Sequence, residues 1–172
     1  GTVPVTSIGQ PVGKVLDASG NGNYFTFTGV TIERDVEGCH YLALSSSTGV
    51  TPSIDFSTTN KVTYFLSHRK ESASLLIPLE FGPNSVSTAG SFGYFLNLTG
   101  NNDSSVLHGV SGAEYPNISA GASPVFNVVS VRIDLSAASM ALRHRIKING
   151  SAMSLNAAGS DPGGGSFSDQ VL

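Results

Sequence analysis

Leu142-Arg143-His144-Arg145-Ile146-Lys147-Ile148-Asn149-Gly150 alternates apolar and basic residues and then breaks on Asn-Gly. Alternation with period two places Leu142, His144, Ile146 and Ile148 on one face of a strand. Arg143, Arg145 and Lys147 then share the other. Asn-Gly is the strongest short signal for a two-residue hairpin turn, so Ser151–Leu155 reads as the returning strand. Upstream, Val129, Val131, Ile133 and Leu135 alternate with Ser130, Arg132 and Asp134. That is a second half-buried strand with one wet face. Further strands are expected at Thr28–Glu33, His40–Leu44, Lys61–Arg69, Ser74–Phe81, Ser91–Leu98, Val106–Gly109 and Phe126–Asp134. Loops at Gly82–Ala89, Thr99–Ser105, Ser111–Ser123 and Ala157–Gly165 separate them. Leu135–Leu142 is the best helical window, and it is short and Ser-rich. Many short strands with Gly-rich turns predict an all-β, two-sheet antiparallel sandwich.

The chain has 172 residues, enough for one domain with a sizeable core. Hydrophobic residues make up 40% and charged residues only 12%, about half the usual charged share. Ser, Thr, Gly and Asn fill the difference, as in extracellular or virion-surface β proteins. The net charge of −3 argues against a nucleic-acid partner. The apolar runs are too short to span a membrane, so no membrane insertion is expected. Cys39 is the single cysteine, which excludes an intrachain disulfide, and it reads as a small packing residue. The last residues, Ser166–Leu172, turn apolar as if a strand were beginning. The sandwich is therefore expected to lack its last strands.

Asp17-Ala18-Ser19-Gly20-Asn21-Gly22-Asn23 follows Ile8-Gly9-Gln10-Pro11-Val12-Gly13. Two glycines and two asparagines in seven residues form a turn with positive φ, which Asp17 and Ser19 can hold through side-chain bonds. Four segments resemble LamG-like, concanavalin A-like jelly-roll modules of phage virion proteins. They are Val5–Gly13, Leu16–Asn23, Ser53–Thr63 and Arg69-Lys70-Glu71-Ser72. In that family a G-Q-P-V-G-x-x-x-D-x-S-G-N-G-N block precedes an I-D-F-(S/T)-x-T-(D/N)-K-x-T strand and an R-K-x-S turn. The match covers roughly residues 5–72, and the later chain matches loosely. The resemblance implies a single jelly-roll domain over 1–172 and a structural or adhesive role in a tail or capsid. Other virion proteins, or a second copy of the chain, would be the partners at the virion surface. It also brings in calcium, because related folds hold Ca²⁺ around this turn. Asp17, Asn21 and Asn23 are the candidate ligands. The acidic run that the family carries after its R-Y-Y-L-like strand is replaced here by Ala43-Leu44-Ser45-Ser46-Ser47. A hard cation wants six to eight oxygens including carboxylates, so the turn reads as structural and no cofactor is expected.

Catalysis finds little support. Glycosidases need two carboxylates flanking the scissile bond, and no E-x-D-x-x-E run exists here. Glu33, Asp35 and Glu37 sit in a turn-like stretch. There is no G-x-S-x-G elbow, and His40, His68, His108 and His144 lack metal spacing. The expectation is a non-enzymatic module. Its sharpest charge feature is Arg143, Arg145 and Lys147 with Arg132, a surface for an acidic polysaccharide or an acidic partner. Tyr115 and Asn117 in the Ser111–Ser123 loop are further candidates. Recognition of a host-surface glycan is the alternative function, weakened by the absence of tryptophan.

Overall fold

Side-chain alternation is what assembles this chain, and a computed structural model shows how far it extends. The structure describes residues 4–34, 37–44, 49–51, 54–69, 76–81, 90–96, 104–108, 115–118, 126–154, 156–158, 167 and 169–170. The chain divides into two compact units, Gly1–Ile54 with Leu172, and Asp55–Val171.

In the first unit, β1 (Lys14–Val15), β2 (Phe25–Phe27) and β5 (Gly49–Val50) form one antiparallel sheet in the order β1-β2-β5. β3 (Val30–Arg34) pairs with β4 (His40–Leu44). The Gly9–Val12 stretch runs along β3. Its Gly9 and Val12 amides donate to the carbonyls of Ile32 and Val30, and Ile32 donates back to Gln10. Pro11, which has no amide hydrogen, forms the intervening bridge to Thr31. The Gln10 side-chain carbonyl accepts the amides of Thr6 and Ser7, both at 2.8 Å. Val12 and Val30 are buried. β6 (Ile54–Asp55) lies where the units divide.

The second unit is a two-sheet sandwich. β7 (Lys61–His68) enters one sheet. β8 (Leu76–Phe81), β9 (Phe92–Leu96), β10 (Ser104–His108) and β11 (Tyr115–Ile118) meander through the other. β12 (Asn127–Asp134), β13 (His144–Ile148) and β14 (Ser151–Ala152) return to the first sheet, and β15 (Asn156–Ala158) crosses back. β16 (Asp169–Gln170) is the final strand. The sheet orders are β15-β11-β10-β9-β8 and β14-β13-β12-β7, all antiparallel. Pro78 sits in β8, an edge strand whose register shifts between Leu76 and Leu79. An edge with a bulge is where a strand tolerates proline.

The core joins the inner faces of both sheets. Val129, Val131 and Ile133 from β12 and Ile146 from β13 meet Phe92, Tyr94 and Leu96 from β9, with Leu135 and Phe167. Val62, Tyr64 and Leu66 of β7 pack against this cluster from the same sheet as β12. The all-β sandwich expected from periodicity is therefore present. The Asn149-Gly150 hairpin is present too, with φ of 51° and 82° as a type I′ turn requires. Asn149 adds a side-chain bond of 2.8 Å from the Val128 amide.

Three local expectations change. Met140–Arg143 is one helical turn (α1), whose Arg143 amide donates to the Ser139 carbonyl at 2.9 Å. The Ser136–Ser139 stretch turns the chain so tightly that the strand begins only at His144. Tyr115–Ile118 is strand rather than loop. Cys39 is exposed rather than packed, because it stands in the turn between β3 and β4. The expected loops at Gly82–Ala89 and over 159–165, and the end at Val171-Leu172, lie outside the described residues.

Two substitutions test the packing and the turn. Gly150 has open space around its Cβ position, so Gly150→Ala adds only backbone strain. Urea unfolding is expected to show a loss of about 1 kcal/mol, the cost of a non-glycine residue at left-handed φ. The Tyr64 hydroxyl is fully enclosed and has no hydrogen-bond partner among the described residues. Tyr64→Phe is expected to raise stability by about 1 kcal/mol, because it removes an uncompensated desolvation. A loss instead would mean that the hydroxyl has a partner.

Candidate ligand-binding face

The inward phase of β7 and β12 dictates their outward one. On β7, Val62, Tyr64, Leu66 and His68 are half-buried, while Lys61, Thr63, Phe65 and Ser67 face solvent. On β12 the outward positions are Val128, Ser130 and Arg132. On β13, Arg145 and Lys147 are exposed between buried His144 and Ile146. Directly opposed residues of an antiparallel pair share a face. Thr63, Arg132 and Arg145 therefore form one row across the sheet, and Phe65, Ser130 and Lys147 form the next. Ser67 and Val128 follow on the same face.

Two apolar side chains stand out on this surface. Phe65 is 75% exposed and Val128 56%. Around them are Lys61, Arg132, Arg145 and Lys147, with Asp134 as the counter-charge. Arg132 holds Asp134 at 2.8 Å and Lys61 approaches it at 3.4 Å. This matters because Arg132 directly opposes Arg145, and like charges in that position repel. Asp134 neutralises the Arg132 side of that pair. Arg145 and Lys147 have no ion-pair partner among the described residues. They remain outward cations at successive outward positions of one strand.

Beside them lies a cleft of about 440 Å³ lined by Ala141, His144, Arg145, Ile146, Lys147, Ala152, Met153 and Ser154. It opens along the β13 edge between α1 and β14. Its walls are mixed, with apolar Ala141, Ile146, Ala152 and Met153 against two cations and a hydroxyl.

The residues singled out in the sequence separate into groups. Arg145, Lys147 and Arg132 come together on this face. Arg143 does not join them. It ends α1 and is only 6% exposed, because the helical turn breaks the alternation one residue before β13 begins. Tyr115 and Asn117 lie on β11 in the opposite sheet, in register with Ala158 and Asn156. Phe65 was not singled out in the sequence. The phase of Val62, Tyr64 and Leu66 places it outward once the register with β12 is known.

Asp17 is engaged within its own turn. Its carboxylate accepts the Ser19 amide at 2.7 Å, the Ser19 hydroxyl at 2.6 Å and the Asn23 amide at 3.0 Å. Ser19 Oγ in turn accepts the Asn21 amide. Gly20 and Gly22 take φ of 83° and 78° there. The oxygens offered to a cation are thus the same ones that close the loop. Among the described residues no group of three His, Cys, Asp or Glu side chains is placed to hold a metal. Asp35 of the Glu33–Glu37 trio lies outside the described residues, and Glu33 sits on β3 accepting from the Thr31 hydroxyl. Among the described residues no helix is long and apolar enough to cross a membrane. Comparison with family models, curated proteins and solved structures finds no match to this chain.

Among the described residues three carboxylates are held below the usual aspartate range, each first because of a serine hydroxyl. Ser19 holds Asp17 below the usual aspartate range, Ser57 does so for Asp55, and Ser136 for Asp134. A depressed folded pKa means that the unfolded chain binds more protons in the window between the two values. The contribution is therefore complete above about pH 4 and is lost as pH falls through the folded pKa. Urea midpoints are expected to stay level from neutral pH to mildly acidic pH and to fall below about pH 4. Asp17→Asn should remove part of that fall. A midpoint that rises on acidification would contradict the assignment.

Proposed function

We propose that this chain is a non-enzymatic contact module of a phage virion, with a LamG-like jelly roll as its fold. It works as part of a capsid decoration, tail fibre or tailspike at the virion surface. The observation that carries the reading is the outward face of β7, β12 and β13. A phenylalanine left 75% exposed beside a 56% exposed valine, rimmed by arginine and lysine, resembles the aromatic-and-arginine composition of contact surfaces. Neither side chain contributes to the core, so folding does not account for its apolar character. The motif segments within residues 5–72 support the phage assignment, and the low charge suits a surface packed into an assembly. Other virion proteins or a second copy of the chain are the partners.

Recognition of a host-surface glycan is the second reading. The Phe65 ring, on the same face as Arg145 and Lys147 and separated from Lys147 only by Ser130, favours it, since a sugar presents an apolar face to a ring and polar groups at its edge.

Immunogold labelling of purified particles with antibody to the chain tests the first reading. Labelled particles are expected, and the double variant Phe65→Ser with Val128→Ser should lower their occupancy about tenfold, as loss of a central apolar anchor does. Both side chains are exposed, so circular dichroism should be unchanged. Particles that never carry the chain overturn the virion assignment.

A further inference from the structure

We infer that the cleft along the β13 edge, with the face leading to Phe65, binds a carboxylate-bearing polysaccharide. This rests on the glycan reading above and names its ligand class.

Arg145 and Lys147 border both the cleft and the outward face. Two residues apart on one strand, their stems are about 7 Å apart. That spacing suits two acidic groups, or one acid and a neighbouring hydroxyl, rather than a single small anion. Neither cation is neutralised by a described carboxylate, so an incoming anion breaks no ion pair among the described residues.

The walls argue for a sugar. Ala141, Ala152 and Met153 offer apolar surface to the C–H face of a pyranose, and Ser154 offers a hydroxyl at its edge. A polymer leaving the cleft across β12 passes over Ser130, a short side chain between Lys147 and Phe65. Phe65 is two strands from Lys147, roughly 10 Å away, within reach of the next sugars of the same chain.

Two other anionic polymers fit less well. An acidic peptide gains its largest share of binding by adding a strand to a sheet edge. Within the cleft, β13 from Ile146 to Ile148 has no free ladder positions for such a strand. β14 pairs with Lys147 and Ile148, and the Met153 amide donates to the Ile146 carbonyl at 3.0 Å. A nucleic acid needs many phosphate contacts, and among the described residues this face offers two cations without an ion-pair partner, on a chain of net charge −3.

Isothermal titration of the full chain with hexagalacturonate, maltohexaose, hexaglutamate and oligothymidylate decides the matter. Hexagalacturonate is expected to bind and maltohexaose not to. Arg145→Ser and Lys147→Ser should each weaken binding about tenfold, the worth of one charge-assisted bond, and Phe65→Ser should weaken it by a smaller factor. Raising salt from about 0.05 M to about 0.5 M should weaken it further, because these are exposed charges. Absence of hexagalacturonate binding overturns the proposal, as does equal binding of maltohexaose. Tighter binding of hexaglutamate or oligothymidylate would also overturn it and assign the face to a protein or a nucleic acid. Labelled virions with no uronate binding would leave the virion reading standing and this one refuted. Uronate binding without labelled virions would do the reverse.

Discussion

Phe92 is enclosed by rings from several elements. Phe81 lies 4.6 Å away centroid to centroid, Phe167 5.0 Å, Phe56 5.6 Å and Tyr64 6.1 Å. The set mixes stacked and edge-on geometries, which aromatic quadrupoles favour. Tyr64 comes from the sheet of β12, whereas Phe81 and Phe92 come from the facing sheet. This cluster therefore sets the phase of both sheets. A slip of one residue in β7 would turn Tyr64 outward and drive Lys61, Thr63 and Phe65 into the core. The outward face exists in its observed form because that slip is so costly.

The same constraint explains what could be read from residues alone. β12 and β13 alternate cleanly, and the structure follows that alternation wherever the backbone stays extended. Asn149-Gly150 carries its own conformational demand, so its hairpin was legible without any tertiary information. Arg143 was misread because alternation is blind to a helical turn of four residues. Such a turn shows no periodicity of its own, and only the serines before it hint at a bend. Tyr115–Ile118 was misread for a related reason. Pro116 and the surrounding glycines argue for a loop, but β10 pairs with β11 only at Ile118 and Asn117. The missing amide of Pro116 therefore interrupts no ladder on that side.

Phe65 illustrates a subtler failure. A phenylalanine inside an apolar run is ordinarily counted toward the core. Its exposure follows from the phase of Val62, Tyr64 and Leu66, and that phase is visible only once the partner strand is known. The register with β12 supplies this by placing Phe65 opposite Ser130 and Tyr64 opposite Val131. One of these partners is half-buried and polar and the other is fully buried, so the two faces are told apart by the neighbour rather than by the residue itself.

The charges on this face are arranged asymmetrically. Asp134 is buried to 6% exposure, and its carboxylate accepts the Ser136 amide and hydroxyl. It holds Arg132 and Lys61 and leaves Arg145 and Lys147 without an ion-pair partner among the described residues. The cation of each pair is about half exposed and screened by solvent, which keeps the contribution of such pairs small, so stability is a weak reason for this layout. The layout has a stronger consequence for recognition. It leaves these two cations next to the cleft, Lys147 at the end of the row that contains Phe65 and Arg145 at the end of the neighbouring one. A rigid β-strand holds them at a spacing that a loop would not maintain, so an anionic ligand pays little ordering entropy in meeting both.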